Sequence, residues 1–227
     1  MRVTGVDACR GGWVAVSLDG TGPWVPVTVR VHETLAGLLG PGGGGAEAAV
    51  VTGIDMPLGL LAAGWREADL AARARLGPRR SSVFAIPPRA VWEQASYQAA
   101  GERCRALTGQ GFSIQAWGLR AKLLEADRYR QTCGHPLYEV HPELAFSAMA
   151  GTPLANRKHT EAGREQRRAL LSQAGITLPS VSPAPVTDTL DAAAVAWSAR
   201  RIAAGQAVVI PGKPQHDERG NEIAIRY

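Results

Sequence analysis

The chain has 227 residues with 45% apolar residues, so it can bury a large core, as one large domain or a domain with a substantial insertion. Its net charge of +5 is carried almost entirely by arginine, which is compatible with a phosphate-bearing partner and equally with a solvated cationic surface. Three cysteines without paired spacing argue against a disulfide framework or a cysteine zinc site. Since no run of about 18 apolar residues occurs, we expect a cytoplasmic protein with no membrane partner.

The first part of the chain predicts three strands, a short helix and a fourth strand. The strands over 2–7, 13–18 and 24–31 are separated by glycine-containing turns, which indicates a β-meander. A short helix is expected to end at Gly40, and the PGGGG sequence at 41–45 predicts a flexible connector. The apolar run AEAAVVTGIDMP then predicts a strand covered on both faces, as in the parallel part of a sheet.

The rest of the chain predicts mainly helices. Apolar residues at helical spacing predict helices over 65–76, 91–107 and 114–130, with a proline-punctuated loop over 77–90. A short strand over 137–140, a helix beginning near Pro142 and a polar helix over about 160–174 follow. The last helix is expected to have Thr187 or Asp188 as its N-cap and to end at Gly205. The final DERGNEIAIRY has the pattern of an edge hairpin, a possible pairing surface for a homodimer.

Two aspartates directly follow predicted strands. Asp7 ends the first strand and Asp55 ends the fourth, and parallel neighbours lie about 5 Å apart with their carboxyl ends at one edge of the sheet. Ligands of open α/β sheets bind at that edge. Two carboxylates so close repel each other unless a cation lies between them. On the last helix, Asp188 and Asp191 share one face, so they can bring further carboxylates to the same cavity.

This set of oxygen ligands predicts a metal site formed by Asp7, Asp55, Asp188 and Asp191. Oxygen-only ligation suits Mg²⁺ or Mn²⁺ rather than zinc. Two such ions about 4 Å apart are the recurring device for attack of water on a phosphodiester. Asp7, Asp55 and Asp191 are therefore also the principal candidates for catalysis.

Further side chains are candidates for supporting roles. In the segment YEVHPELAF, Glu139 is a candidate extra metal ligand, and His141 a candidate proton shuttle or phosphate contact. Arginines can bind phosphate oxygens in a bidentate manner. The residues predicted to contact a substrate phosphate are Arg79, Arg80, Arg89 and Lys122.

Six motifs in order over nearly the whole chain resemble a family of predicted nucleases, domain of unknown function 429. The motifs are GVDACRGGW, IDMPLGL, RRSSVFAIPPR, TGQGFSIQAWGLRAKLLEAD, YEVHPELAF and LDAAAVAW. The order of the elements and of the acids also resembles the ribonuclease H-like fold and the crossover-junction resolvases within it. The resemblance implies that Asp7, Asp55 and Asp191 occupy the positions of that fold's metal-binding acids, with Asp188 as a helper.

The fold implied by the resemblance is α/β, a ribonuclease H-like mixed five-stranded sheet with flanking helices and with the first and fourth strands adjacent. We predict a single domain over residues 1–227 with a mainly helical insertion, after the fourth strand, at about 62–135. Two features depart from the pattern. Many enzymes of this fold use a glutamate at an early position, whereas the acids here are all aspartates. The insertion is also large enough to cover the cleft that a duplex would need.

Each candidate also has a structural explanation that the sequence leaves open. Asp7 and Asp55 are suitable turn formers, and Asp188 is a suitable N-cap. In EVHPE, Glu143 can stabilise a helix dipole, and His141 can be a buried imidazole with its hydrogen bonds satisfied. Lys122 fits an intrahelical charge network, and the arginine-rich loop fits a solvated surface.

The sequence therefore supports three functions in descending order. The first is a metal-dependent nuclease that hydrolyses phosphodiester bonds of DNA or RNA with two metals. The second is a nucleotide-binding or phosphotransfer protein of the related actin and sugar-kinase-like fold, although such proteins normally duplicate the domain. The third is a non-catalytic binding module. The sequence does not choose between DNA, RNA and a small nucleotide as substrate.

Overall fold

The computed structural model describes residues 1–20, 22, 26–40 and 49–227. Its strands are β1 (Arg2–Cys9), β2 (Gly12–Asp19), β3 (Val27–His32), β4 (Val51–Ile54), β5 (Leu137–Val140), β6 (Val209–His216) and β7 (Glu222–Arg226). Its helices are α1 (Leu35–Leu39), α2 (Glu67–Leu76), α3 (Arg89–Trp92), α4 (Tyr97–Thr108), α5 (Ile114–Trp117), α6 (Arg120–Thr132), α7 (Pro142–Ala150), α8 (Glu161–Gln173) and α9 (Val186–Ala203). A 3-10 helix covers Gly77–Ser82.

The chain divides into two compact units. The first contains Met1–Met56, Tyr129–Val208 and Arg226–Tyr227, and the second contains Pro57–Arg128 and Val209–Ile225. Among the described residues, no helix combines the length and the apolar character that crossing a membrane requires.

In the first unit, the strands lie in the order β3-β2-β1-β4-β5. β1 pairs antiparallel with β2 and parallel with β4, in a register that sets Val6 opposite Ile54. β5 pairs parallel with β4 and sets Glu139 opposite Ile54. The predicted α/β fold with a mixed sheet, flanking helices and adjacent first and fourth strands is confirmed.

The sheet contains seven strands rather than the five expected, because β6 and β7 also belong to it. β7 and the turn before it fall within the predicted edge hairpin. β6 was not predicted because Pro211 and Pro214 remove two backbone donors and interrupt the usual strand pattern.

Helix α9 forms the centre of the first unit's core. It packs against β1 and β4 through small residues, and its buried face meets Phe146 of α7 and Leu171 of α8. The approach is so close that a Cβ atom at Gly5 of β1 would overlap the backbone of Ala192 and Ala196. Glycine at this position is therefore what allows the helix to lie directly on the strand.

Several boundaries differ from the sequence predictions for local reasons. The helix expected over 91–107 is two helices, because the Ser96 side chain accepts the Ala99 N–H and begins α4 anew. The helix expected over 114–130 is likewise divided into α5 and α6 at a turn around Gly118. The last helix begins at Val186, immediately after Pro185, so Asp188 lies in its first turn and not at its N-cap. The third strand begins at Val27; residues 24–25 of that prediction and the connector at 41–45 lie outside the described residues.

The second unit is mostly helical and has an aromatic core. Trp92 stacks on Trp117 with ring centroids 6.2 Å apart, and Phe112 meets Trp92 edge-on at 5.7 Å. A cavity of about 870 Å³ opens beside this core, with Trp65 and Phe84 among its lining residues.

Candidate metal centre

Strands β1 and β4 place Asp7 and Asp55 side by side at one edge of the sheet. The Asp55 backbone N–H donates to the carbonyl of Val6 at 2.8 Å, so the two aspartates continue a parallel ladder beyond Ile54. Oδ1 of Asp7 accepts the N–H of Ala8 at 2.7 Å. β1 continues past Asp7 to Cys9, so Asp7 does not end the strand and does not form the turn considered for it, and this contact occupies one carboxylate oxygen only. The Asp7 side chain is 8% exposed, and Asp55 is half-buried.

Helix α9 brings Asp191 to the same edge. Ala192 lies directly over Gly5, and Gly5 and Asp7 face the same side of β1 because side chains alternate along a strand. Asp191 is almost fully buried, and Asp188, one turn earlier, is half-buried. The Asp188 carboxylate accepts the Thr187 hydroxyl at 3.0 Å. The close packing at Gly5 thus positions the helix acids near the strand acids.

The three aspartates Asp7, Asp55 and Asp191 interact electrostatically. Burial raises the pKa of Asp7 well above its usual value, and the carboxylates of Asp55 and Asp191 raise it further. For Asp55, burial and then the Asp191 carboxylate raise the pKa to about 8. Burial also raises the pKa of Asp191, against the lowering effect of a neighbouring lysine. The site therefore carries more negative charge than its surroundings neutralise.

The lysine that lowers the pKa of Asp191 is Lys158, in the loop between α7 and α8. Its Nζ donates to Oδ2 of Asp191 at 2.7 Å, and the Lys158 side chain is 40% exposed, whereas that of Asp191 is 3% exposed. Burial lowers the pKa of this ammonium, but the carboxylates of Asp191, Asp55 and Asp7 outweigh burial and raise the pKa above its ordinary value. Lys158 is the cation that partly offsets the aspartates.

Two glutamates extend the acidic site. Glu139 of β5 is buried and raises the pKa of Asp55. Glu143, in the first turn of α7, raises the pKa of Asp55 and of Asp191. Its Oε1 accepts the buried guanidinium of Arg167, while Oε2 is buried without a hydrogen-bond partner among the described residues.

Sequence reasoning missed the roles of Lys158 and Arg167 and gave Glu143 only a helix-dipole role. Lys158 is one of three lysines in an arginine-rich chain, and this scarcity was the only available signal. The position of Glu143 four residues after Glu139 was visible, but the spacing of a strand residue and a helix residue does not fix their distance. Arg167 lies 24 residues from its partner Glu143, a separation that carries no pattern.

The remaining predicted residues lie elsewhere. His141 is half-buried between β5 and α7 in the first unit. The predicted phosphate contacts are all in the second unit. There, Arg89 forms a bidentate ion pair with Asp127 at 2.9 and 3.0 Å, and Lys122 lies 3.8 Å from Glu125, as the charge-network interpretation expected. Arg80 is exposed on the 3-10 helix, and Arg79 beside it is half-buried.

The donor set fits a hard divalent cation. As the side chains stand, no group of three or more His, Cys, Asp or Glu within residues 1–20, 22, 26–40 and 49–227 has the geometry to hold a metal ion. Yet the site combines the carboxylates of Asp7, Asp55 and Asp191 with an oxygen of Glu143 that lacks a hydrogen-bond partner among the described residues. A cation, Lys158, is already in contact with Asp191. Carboxylate oxygens of this kind are the ligands of Mg²⁺ and Mn²⁺.

Comparison with known proteins identifies the family of this chain. The family model described as "Protein of unknown function (DUF429)" matches residues 5–216. No curated protein matches. Among solved structures, T. thermophilus RuvC in complex with a Holliday junction substrate is 15% identical with a TM-score of 0.40, covering 91% of this chain and 97% of that one. A second Thermus thermophilus RuvC structure is 17% identical with a TM-score of 0.33, covering 91% and 98%. These scores are too low to carry a function to this chain.

Proposed function

This chain belongs to the DUF429 family of proteins of unknown function, and we propose that it is a metal-dependent nuclease that hydrolyses phosphodiester bonds. The observation that carries the proposal is the electrostatic conflict among Asp7, Asp55 and Asp191. Asp55 and Asp191 raise the pKa of Asp7, and Asp191 raises the pKa of Asp55. Such repulsion between carboxylates costs folding stability, and a protein keeps the arrangement where function needs it. A divalent cation resolves the conflict.

We assign different ligand roles to the acids of the site. Asp7 and Asp55, at the ends of paired strands, are the central ligands, and Asp191 closes the site from α9. Asp188, Glu139 and Glu143 are assigned as further ligands that bind directly or through water. Bound Mg²⁺ or Mn²⁺ would supply an activated water and stabilise the charge on the leaving oxygen of a phosphodiester. Because the ligating carboxylates must be ionised, metal binding releases the protons that the raised pKa values retain.

Other residues of the chain are candidates for contacting the substrate or for transferring a proton. His141, next to Glu139 in the sequence, is a candidate for moving a proton to or from the reacting oxygens. Arg79, Arg80 and Lys122 are candidates for contacting backbone phosphates. Arg89 is a weaker candidate because Asp127 already occupies its guanidinium in a bidentate pair. The net charge of +5 is compatible with a nucleic-acid substrate, DNA or RNA.

The test is cleavage of a panel of single-stranded, double-stranded and branched DNA and of RNA, with Mn²⁺, Mg²⁺ or EDTA. We expect cleavage with a divalent metal and none in EDTA. Asp7→Asn should lower the metal-dependent rate by about 100-fold or more, since it removes a central ligand. Asp19→Asn is the matched control, because Asp19 pairs with Arg2 at the far end of β1 from Asp7. Equal rates for wild type and Asp7→Asn would refute the assignment of Asp7.

A further inference from the structure

The backbone around Lys158 is anchored, although its side chain reaches solvent. Leu154, earlier in the loop, is buried in the core of the first unit. On the other side, the Thr160 hydroxyl donates to the carbonyl of Arg157 at 2.8 Å and accepts the Gly163 N–H at 3.1 Å. A Cβ atom at Gly163 would overlap the Arg157 carbonyl, so the loop lies directly on α8. Movement at this position is therefore expected from the lysine side chain and not from the loop.

Lys158 and a metal ion compete for the same oxygen. Oδ2 of Asp191 accepts the ammonium at 2.7 Å, and the ammonium also interacts with Asp55 and Asp7. A second cation, the buried Arg167, donates to Glu143 and to the carbonyl of Gly163 at 3.0 Å. Lys158, on a flexible four-carbon stem and 40% exposed, is the cation that can leave.

When the Lys158 ammonium leaves Asp191, it loses a hydrogen-bond acceptor that must be replaced. Leaving Asp191 for water alone sacrifices a short charge-assisted hydrogen bond, which weakens metal binding by the same amount. A substrate phosphate at the mouth of the site would offer the ammonium an equivalent acceptor. Metal and phosphate would then assist each other's binding, and this coupling must be reciprocal.

We propose that Lys158 is an exchangeable counter-cation: it holds Asp191 while the metal is absent and transfers to a substrate phosphate oxygen when the metal binds. This inference rests on the proposed function and assigns Lys158 as the residue that couples metal binding to substrate binding. The geometry that carries it is the contact between a partly exposed lysine side chain on an anchored loop and the most deeply buried carboxylate of the site.

The experiment measures Mn²⁺ affinity by titration calorimetry, with and without a phosphorothioate oligonucleotide that resists cleavage. In wild type, the oligonucleotide should tighten Mn²⁺ binding at least about fivefold. Lys158→Met should bind Mn²⁺ at least about fivefold more tightly than wild type without the oligonucleotide, and the oligonucleotide should add no further tightening. Lys158→Arg, which keeps a cation, should retain the coupling. Lys213→Met, at an exposed position of β6, makes the same charge change and should behave as wild type.

The possible failures are distinguishable. If wild type binds Mn²⁺ and Lys158→Met binds it with the same affinity, the counter-cation role is wrong while the metal site stands. If the oligonucleotide leaves the wild-type affinity for Mn²⁺ unchanged, the transfer to phosphate is wrong. If neither wild type nor Lys158→Met binds Mn²⁺, the proposed function is wrong and this inference with it.

Discussion

Asp55→Asn is expected to raise the melting temperature of the metal-free protein at pH 8 by about 3 °C or more. Burial and the Asp191 carboxylate raise the pKa of Asp55 to about 8 in the folded protein, whereas an unfolded aspartate has its ordinary value near 4. Between these two values, the folded state binds more protons than the unfolded state. The free energy of unfolding therefore falls as the pH rises from about 4 to about 8. The amide side chain of Asp55→Asn cannot ionise, so the free energy of unfolding of this variant does not fall for that reason.

The measurement is a set of thermal melts in EDTA between pH 5 and pH 9. The difference between Asp55→Asn and wild type should be smaller at pH 5, near the lower end of that range, and should grow as the pH rises to about 8. Asp19→Asn provides a control of opposite sign, because the hydrogen bond from Arg2 lowers the pKa of Asp19. That variant should be no more stable than wild type at pH 8. A destabilised Asp55→Asn at pH 8 would contradict the described electrostatics.

Gly5→Ala is expected to destabilise the protein by about 3 kcal/mol or more. The added methyl group would overlap the backbone of Ala192 and Ala196 on α9, and a helix backbone has no rotamer with which to yield. Relief requires α9 to move away from β1, which opens the core and draws Asp191 away from Asp7. Gly5→Ala should therefore also weaken Mn²⁺ binding, even though residue 5 carries no ligand.

Chemical denaturation and a Mn²⁺ titration of the remaining folded protein check both effects. Gly212→Ala on β6 is the matched control, because nothing lies within 4 Å of the Cβ position there. We expect the control to change stability by less than about 1 kcal/mol. Full stability and full metal affinity in Gly5→Ala would mean that α9 is not held against β1 in solution.

The core of the site was predictable because its signals are local. An apolar run followed directly by aspartate identifies both Asp7 and Asp55, and parallel pairing of β1 with β4 then brings them together without further information. Asp191 was predictable from helical spacing once α9 was expected to cover the sheet. The sequence does not show why α9 can lie so close to β1. The reason is Gly5 of β1, because the absence of a Cβ atom there leaves room for the helix.

The contacts that sequence reasoning missed are long-range or depend on details of capping. Lys158 reaches Asp191 across 33 residues, and no periodicity connects a loop lysine with a helix aspartate. β6 lacked a strand signal because of its two prolines. Apolar spacing alone predicted one helix over 91–107, whereas the side chain of Ser96 decides where α4 begins. Caps and turns set element boundaries in such cases more strongly than periodicity does.

The most direct test of the central claim, that Asp7, Asp55 and Asp191 share one divalent-metal site, is a Mn²⁺ titration of wild type and Asp7→Asn at pH 8. We predict saturable binding by wild type with release of protons, retained in Asp19→Asn and lost in Asp7→Asn. Binding of equal affinity by wild type and Asp7→Asn would contradict the claim, as would the absence of binding by wild type.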